Sequence, residues 1–271
     1  MSLMHVHFLD PYHSGNSPLH RLDPRVKVVL ALAFILTASL TPFGAWAAYI
    51  LLFAIVLSIE MLSELGIRYV LKRAFLATPF VLAALPLIFT VQGTPIAAFT
   101  LGAWTFSMTL EGVERVLSIA FKSWVSVQMA IVLAATTTFP ELLNAMRALR
   151  LPKLLVAIFG LMWRYLFVLA DEALRLLRAR AARSGASREP GRARGGSVVW
   201  RARVTGGMAG NLLVRSFERG DRIYAAMAAR GYDGEVRTFP LPPLGARQWL
   251  MIGAGLTICL VILLLAAVIT R

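Results

Sequence analysis

From Trp249 to Ile269 the chain runs for 21 residues without a charged side chain. A bilayer core takes about 20 apolar residues per helix, so this stretch is long enough to cross one. Nothing else in the sequence limits the fold as strongly, because hydrocarbon admits only helices and closed barrels. Three further long apolar stretches follow the same rule: Phe43 to Ile59, closed by Glu60; Tyr69 to Thr90, with Lys72 and Arg73 near its start; and Val113 to Ala135, which carries Glu114, Arg115 and, deeper, Lys122. Val26 to Leu40 is shorter but nearly continuous, and Thr41-Pro42 separates it from the next span. The reading is an all-α, polytopic membrane protein of about five transmembrane helices.

Composition at first sight opposes this. The chain has 271 residues, 58% of them hydrophobic, yet 28 Lys and Arg outnumber 14 Asp and Glu. The conflict resolves if apolar and basic residues occupy different segments. With the N-terminus in the cytoplasm, Arg21, Arg25, Lys27, Arg68, Lys72, Arg73 and the 19 cations of 136–248 all fall at or near cytoplasmic ends. That is 25 of 28, leaving Arg115, Lys122 and Arg271. Cations set orientation, so N-in, C-out is expected, in the inner (plasma) membrane. The organisation is then a cytoplasmic N-terminus at 1–25, a four-span bundle at 26–135, a cytoplasmic region at 136–248 and a last span at 249–271.

Within 136–248 three helices are expected. The first runs from Pro140 to Arg150 with Thr138 as its cap. The second runs from Pro152 to Ser184, about 50 Å at 1.5 Å per residue. Its first half, Leu154 to Ala170, holds a single charge, Arg164, and is about 25 Å long, short of the bilayer core. If it spanned, the 15 arginines between it and the last span would be translocated, so it reads as a helix at the interface or packed on protein. Leu155, Ile158, Met162, Tyr165, Leu169, Ala173 and Leu176 follow helical spacing. Residues 185–196 read as a flexible loop of Gly, Ser, Pro and Arg. The third helix runs from about Ser197 to Arg230.

The two long helices end alike. One finishes Ala182-Arg183-Ser184, the other Ala229-Arg230-Gly231. Small flanks let a helix end enter a narrow groove, and arginine offers five donors in a fixed fork. An arginine there also complements the helix dipole without any partner. Gly206 and Gly210, in the third helix, form a G-x-x-x-G spacing that permits close helix crossing; the same glycines also weaken the helix locally.

At this point the chain resembles the transmembrane T components of energy-coupling factor (ECF) transporters, and most nearly the cobalt type, the CbiQ family. Membrane spans interrupted by long coupling helices, the paired Ala-Arg ends and the stretch Ser17-Pro18-Leu19-His20-Arg21-Leu22-Asp23-Pro24-Arg25-Val26-Lys27 carry the resemblance. It implies a non-enzymatic coupling role. Arg183 and Arg230 would each enter a groove of one of two ABC-type, CbiO-like ATPase subunits. The segments 154–170 and 197–228 would meet those ATPases and a substrate-binding S component, CbiM-like, often with a CbiN-like subunit. No catalytic residue, cofactor or metal site is expected in this chain, since the family's metal site lies in the S component.

Other signals are weaker. His5, His7, His13 and His20 could bind a transition metal, but four histidines in a mobile N-terminus more often do nothing specific. Ser118, Lys122 and Ser126 share a helix face; pairing of Lys122 with Glu111 or Glu114 competes with structural hydrogen bonding between helices, which is favoured. Asp171 and Glu172 are adjacent and point apart, a poor acid/base pair. Cys259 is the only cysteine, which excludes a disulfide framework. No P-loop motif occurs, so ATP would be bound elsewhere. A self-sufficient secondary transporter is the main alternative, but it should show inverted repeats, and none is clear. A lipid-modifying enzyme lacks a visible nucleophile–base constellation. The arginine-rich stretch 188–203 lacks interleaved aromatics except Trp200, so no nucleic-acid partner is expected.

Overall fold

The computed structural model describes residues 12–75, 78–101, 104–183, 197–234 and 242–270. They are almost entirely helical, and the chain divides into two compact units, Met1–Leu149 with Leu241–Arg271, and Arg150–Pro240.

The first unit is built on α1 (Pro24–Leu40). Asp23 caps it by accepting from the Arg25 amide at 2.9 Å, and Pro24 occupies the first turn, where its missing N–H costs nothing. α1 packs against α6 (Leu110–Thr136), α7 (Phe139–Ala148) and α10 (Ala246–Ile269), while α2 (Trp46–Ser63) packs on α6 and α10. Their shared core joins Ala31, Phe34 and Ala38 of α1 to Leu52 and Val56 of α2, Val125 and Met129 of α6, and Ile262 and Ala266 of α10. Small residues at these contacts let the helices approach closely, as packing between membrane helices requires.

Four of the described helices, α2, α6, α10 and the second unit's α8 (Lys153–Arg183), are long and apolar enough to cross a membrane by length and composition. α1, at 17 residues, is shorter. The multi-pass helical architecture is thus as expected, though α8, read from the sequence as lying at the interface, is among the candidates and α1, read as a span, is not; two further details differ. The stretch Tyr69–Thr90 is not one continuous helix. It is broken into α3 (Ile67–Ala74), α4 (Thr78–Ala84) and α5 (Leu87–Thr90). Pro79 and Pro86 are the reason: a proline has no N–H to donate, and its ring clashes with the carbonyl four residues back. Irregular backbone at membrane depth is tolerated where protein covers it, and all three short helices lie against α6. At α5 the approach is close enough that a Cβ on Gly112 would stand 2.8 Å from the Ile88 carbonyl oxygen. The second difference is Glu60. It does not close α2 at an interface; the helix continues to Ser63, and Glu60 is buried with neither carboxylate oxygen hydrogen-bonded in the described structure.

Between α5 and α6 lies a hairpin absent from the sequence reading, β1 (Pro95–Leu101) antiparallel to β2 (Trp104–Thr109). Its runs are rich in β-branched and aromatic residues, which favour strand. Thr94 and Glu111 clasp its base: the Thr94 amide donates to the Glu111 carboxylate at 2.8 Å, and the Leu110 amide donates to the Thr94 carbonyl at 3.0 Å. Thr109 then caps α6 by accepting from the Gly112 amide at 3.2 Å.

The N-terminal residues from 12 onward are fixed in place. The His13 amide donates to the Ala135 carbonyl at 2.9 Å, and Lys27 Nζ donates to the Thr136 carbonyl at 2.8 Å and the His20 carbonyl at 3.3 Å. Two carbonyls that α6 leaves open at its C-terminus are thereby satisfied. His20 bonds Ser17 Oγ at 2.6 Å through Nδ1 and the His13 carbonyl at 2.9 Å through Nε2. His13 and His20 therefore serve structure, which corrects the expectation of a mobile, unemployed segment; His5 and His7 lie outside the described residues.

Lys122 plays the corresponding part at the end of α1. Its Nζ donates to the carbonyls of Thr41 and Ser39 and stands 4.5 Å over the Phe43 ring. One turn away on α6, Ser118 Oγ accepts from the Gly44 amide at 3.3 Å, while Tyr49 closes the α1–α2 turn by donating to the Pro42 carbonyl at 2.7 Å. The hydrogen-bonding reading of Lys122 holds. Glu111 is engaged at the hairpin, and Glu114 lies against Gly44. Lys122→Met should therefore lower stability by about 1.5 kcal/mol, the worth of a charge-assisted bond, without preventing insertion. Thermal unfolding of wild type and variant in the same detergent checks this; an unchanged midpoint would show the clasp to be idle.

Candidate coupling helices

The second unit consists of α8 and α9 (Val198–Ala229). At 31 and 32 residues they are about 46–48 Å long. Ahead of them, α7 has the expected Thr138 cap in reciprocal form: Thr138 Oγ1 accepts from the Glu141 amide at 3.4 Å, and the Glu141 carboxylate accepts from the Thr138 amide at 2.9 Å. α9 starts as expected too, with Ser197 Oγ accepting from the Trp200 amide at 3.2 Å.

The two helices run antiparallel. Arg180, near the end of α8, donates to Thr205 Oγ1 at 2.7 Å near the start of α9. Further along, Glu172 of α8 accepts from Arg219 at 2.8 Å and Arg215 at 3.5 Å. Side-chain exposure of Glu172 is only 13%, so this ion pair is shielded more than a surface one and holds the crossing. Spacing on one helix cannot reveal such a partner more than 40 residues away, and Glu172 was legible only as a poor acid/base candidate.

The antiparallel arrangement separates the two Ala-Arg ends. Ala182 and Arg183 close α8 beside the beginning of α9, whereas Ala229 and Arg230 stand at its far end. From Thr205 to Ala229 the helix extends about 36 Å. Ala182, Arg183, Ala229, Arg230 and Gly231 are all exposed; Ser184 lies outside the described residues, as does the expected loop 185–196.

At the second end the local geometry explains the motif. The Gly231 amide donates to the Ala228 carbonyl at 3.0 Å, and the Tyr232 amide donates to the Met227 carbonyl at 3.0 Å. This is a Schellman closure, with Arg230 at the C-cap and Gly231 at φ +77° just beyond it. Only glycine takes that conformation without a Cβ penalty. The chain therefore turns sharply away, and Arg230 is left projecting from a helix that ends abruptly.

α8 is continuous through Arg183, not confined to its apolar half. Only Val156 and Ala157 are buried along it, and Leu154, Ile158 and Met162 are 49–61% exposed. On α9 a Cβ added at Gly206 or Gly210 would meet nothing within 4 Å, so no described part of this chain crosses there. Among the described residues no group of three or more His, Cys, Asp or Glu could hold a metal ion.

Comparison with known proteins places these features. The family model described as cobalt transport protein, CbiQ, matches residues 15–240. The chain is 26% identical over 257 residues to the energy-coupling factor transporter transmembrane protein EcfT of Ruminiclostridium cellulolyticum, covering 91% of each. It is 29% identical over 268 residues to EcfT of Exiguobacterium sibiricum, covering 95% of this chain and 96% of that one. Against the cobalt transport protein CbiQ of Rhodobacter capsulatus it is 29% identical over 177 residues, 65% of this chain and 68% of the other.

Replacing Gly231 by Ala should cost about 1–2 kcal/mol locally, because an L-residue is forced into the left-handed region. Amide exchange at Gly231 and Tyr232 is then expected to rise by about tenfold, with the core of α9 unchanged. Unaltered protection at both amides would count against the Schellman end.

Proposed function

The chain belongs to the CbiQ family of cobalt transport proteins, and from that premise we propose that it is the non-catalytic coupling subunit of an ATP-driven ECF-type importer. It is a multi-pass membrane protein of a transporter family, and the finer reading concerns how it transmits force. Its N-terminus lies in the cytoplasm and the cell inner membrane holds its spans, an orientation supported by 25 of 28 cations falling on one side.

The observation that carries the proposal is the pair of exposed Ala-Arg ends at opposite extremes of α9. Arginines at opposite ends of α9, a helix that extends about 36 Å from Thr205 to Ala229, cannot enter one narrow groove, but each can enter a groove on its own ATPase subunit. The Arg183 end, with Ala182 and Ser184, engages one CbiO-like ATPase, and the end formed by Ala229, Arg230 and Gly231 engages the other. Closure of the ATPase pair on ATP moves both ends, and the Glu172–Arg219 bond makes α8 and α9 move together. The exposed apolar side chains of α8, such as Leu154, Ile158 and Met162, and the open strip at Gly206 and Gly210 suit an S component, CbiM-like and accompanied by a CbiN-like subunit, whose helices would cover them. The cargo is the cobalt ion, bound by that component and not by this chain.

Removing a desolvated arginine contact costs on the order of 2–5 kcal/mol at an interface. The double variant Arg183→Ala with Arg230→Ala should therefore lose co-purification with the ATPase subunits, while its amount in the membrane fraction stays at the wild-type level. Each single variant should retain partial association. Wild-type recovery of the ATPases by the double variant would refute the proposed contact.

A further inference from the structure

The first unit carries a groove that neither the core nor the coupling helices use. It has a volume of about 910 Å³, toward the upper end of the roughly 300–1,000 Å³ typical of small-molecule sites. One wall is α6, where Val127, Ala130 and Ala134 recur on one helix face. The other is formed around the break between α3 and α4 by Phe75, Pro79 and Leu82. The groove exists because Pro79 interrupts what would otherwise be a continuous helix packed along α6.

The polarity of the groove is graded along α6. α5 meets α6 at Gly112, near its start. α3 sits at its other end, where Tyr69 contacts His13 and the His13 amide bonds Ala135. Lys72 and Arg73, in the last turn of α3, line the groove and are exposed. Arg73 is held over the Tyr69 ring at 4.3 Å, which aims its guanidinium without neutralising it. No acidic residue is among the described residues that line the groove. The apolar floor thus leads, within about 10 Å from Val127 to Ala134, to two adjacent cations at the end of a membrane-crossing helix.

We propose that this groove seats one anionic phospholipid, its acyl chain along Val127, Ala130 and Ala134 and its phosphate at Lys72 and Arg73. An apolar floor that ends at two cations, with no acidic residue among its described lining, matches the headgroup-proximal part of a lipid of the leaflet facing the C-terminal end of α6. Basic pockets between membrane helices recognise anionic headgroups by the same chemistry. A zwitterionic lipid would satisfy the floor and leave the pair of cations unmatched. A partner's apolar helix would bury both cations without a counter-charge, at a high desolvation cost.

The test uses the purified, delipidated full chain titrated with phosphatidylglycerol or phosphatidylcholine, read by native mass spectrometry and by melting temperature. One phosphatidylglycerol should bind per chain and raise the melting temperature, with phosphatidylcholine much weaker. Lys72→Gln with Arg73→Gln should weaken phosphatidylglycerol binding by about tenfold or more. Ala130→Trp, which fills the floor and leaves both cations in place, should abolish the bound lipid. Lipid-free melting of each variant reports its folding separately. Equal binding of the two lipids, or wild-type phosphatidylglycerol binding by both variants, would overturn the proposal. So would an Ala130→Trp chain that keeps its lipid but loses a partner membrane subunit, since the groove would then be a protein interface.

Discussion

A helix that ends leaves its last carbonyls without intrahelical partners, and near hydrocarbon there is no water to take their place. The described structure meets this constraint with cations. Lys27 Nζ bonds Thr136 at the end of α6, and Lys122 Nζ bonds Ser39 and Thr41 at the end of α1. Each lysine belongs to the other helix, so the two bonds tie both ends of α1 to α6, one at the α6 C-terminus and one near its middle. The negative end of each helix dipole is compensated in the same act. The N-terminal residues 12–23, the α1–α2 turn and the packing of α2 all depend on these two ties.

The same chemistry changes purpose in the second unit. Arg183 and Arg230 also stand at helix C-termini, but both are exposed, and at α9 the last carbonyls are met without the arginine. At α9 the Schellman closure on Gly231 takes that task. A backbone motif thus releases an arginine for use elsewhere. The Glu172 bonds to Arg219 and Arg215 tie the two long helices together between their ends.

What could be read from the chain alone was whatever repeats at helical or bilayer length. The limits of α8, α9 and α10, the Thr138 cap and the matched Ala-Arg ends are all local in sequence. The end at Ala229-Arg230-Gly231 was legible for the same reason: the glycine that closes the helix is next to the arginine. The break of Tyr69–Thr90 was missed because counting apolar residues ignores what Pro79 and Pro86 do to the hydrogen-bond ladder. The hairpin at Pro95–Thr109 was missed because its stability comes from the Thr94–Glu111 clasp, not from periodicity. His13 and His20 looked idle because the bonds that anchor their segment are not periodic: His20 bonds Ser17 and the His13 carbonyl, and the His13 amide bonds Ala135 of α6.

The sequence by itself determined that this is a helical, multi-pass chain with two long helices ending in arginine, and its cations set the expected orientation. Bilayer thickness, helix rise and the cost of charge in hydrocarbon act on single segments, so a single segment is enough to reveal them. Only the tertiary structure decided that α8 and α9 run antiparallel and place Arg183 and Arg230 at opposite ends. It alone decided that Lys122 clasps a turn and that a broken helix opens a groove beside Lys72 and Arg73. Those outcomes rest on bonds between residues 25 to more than 100 positions apart, such as Arg180 to Thr205, Glu172 to Arg219 and Lys27 to Thr136. No spacing within one helix encodes such a pairing, because only packing brings the partners together.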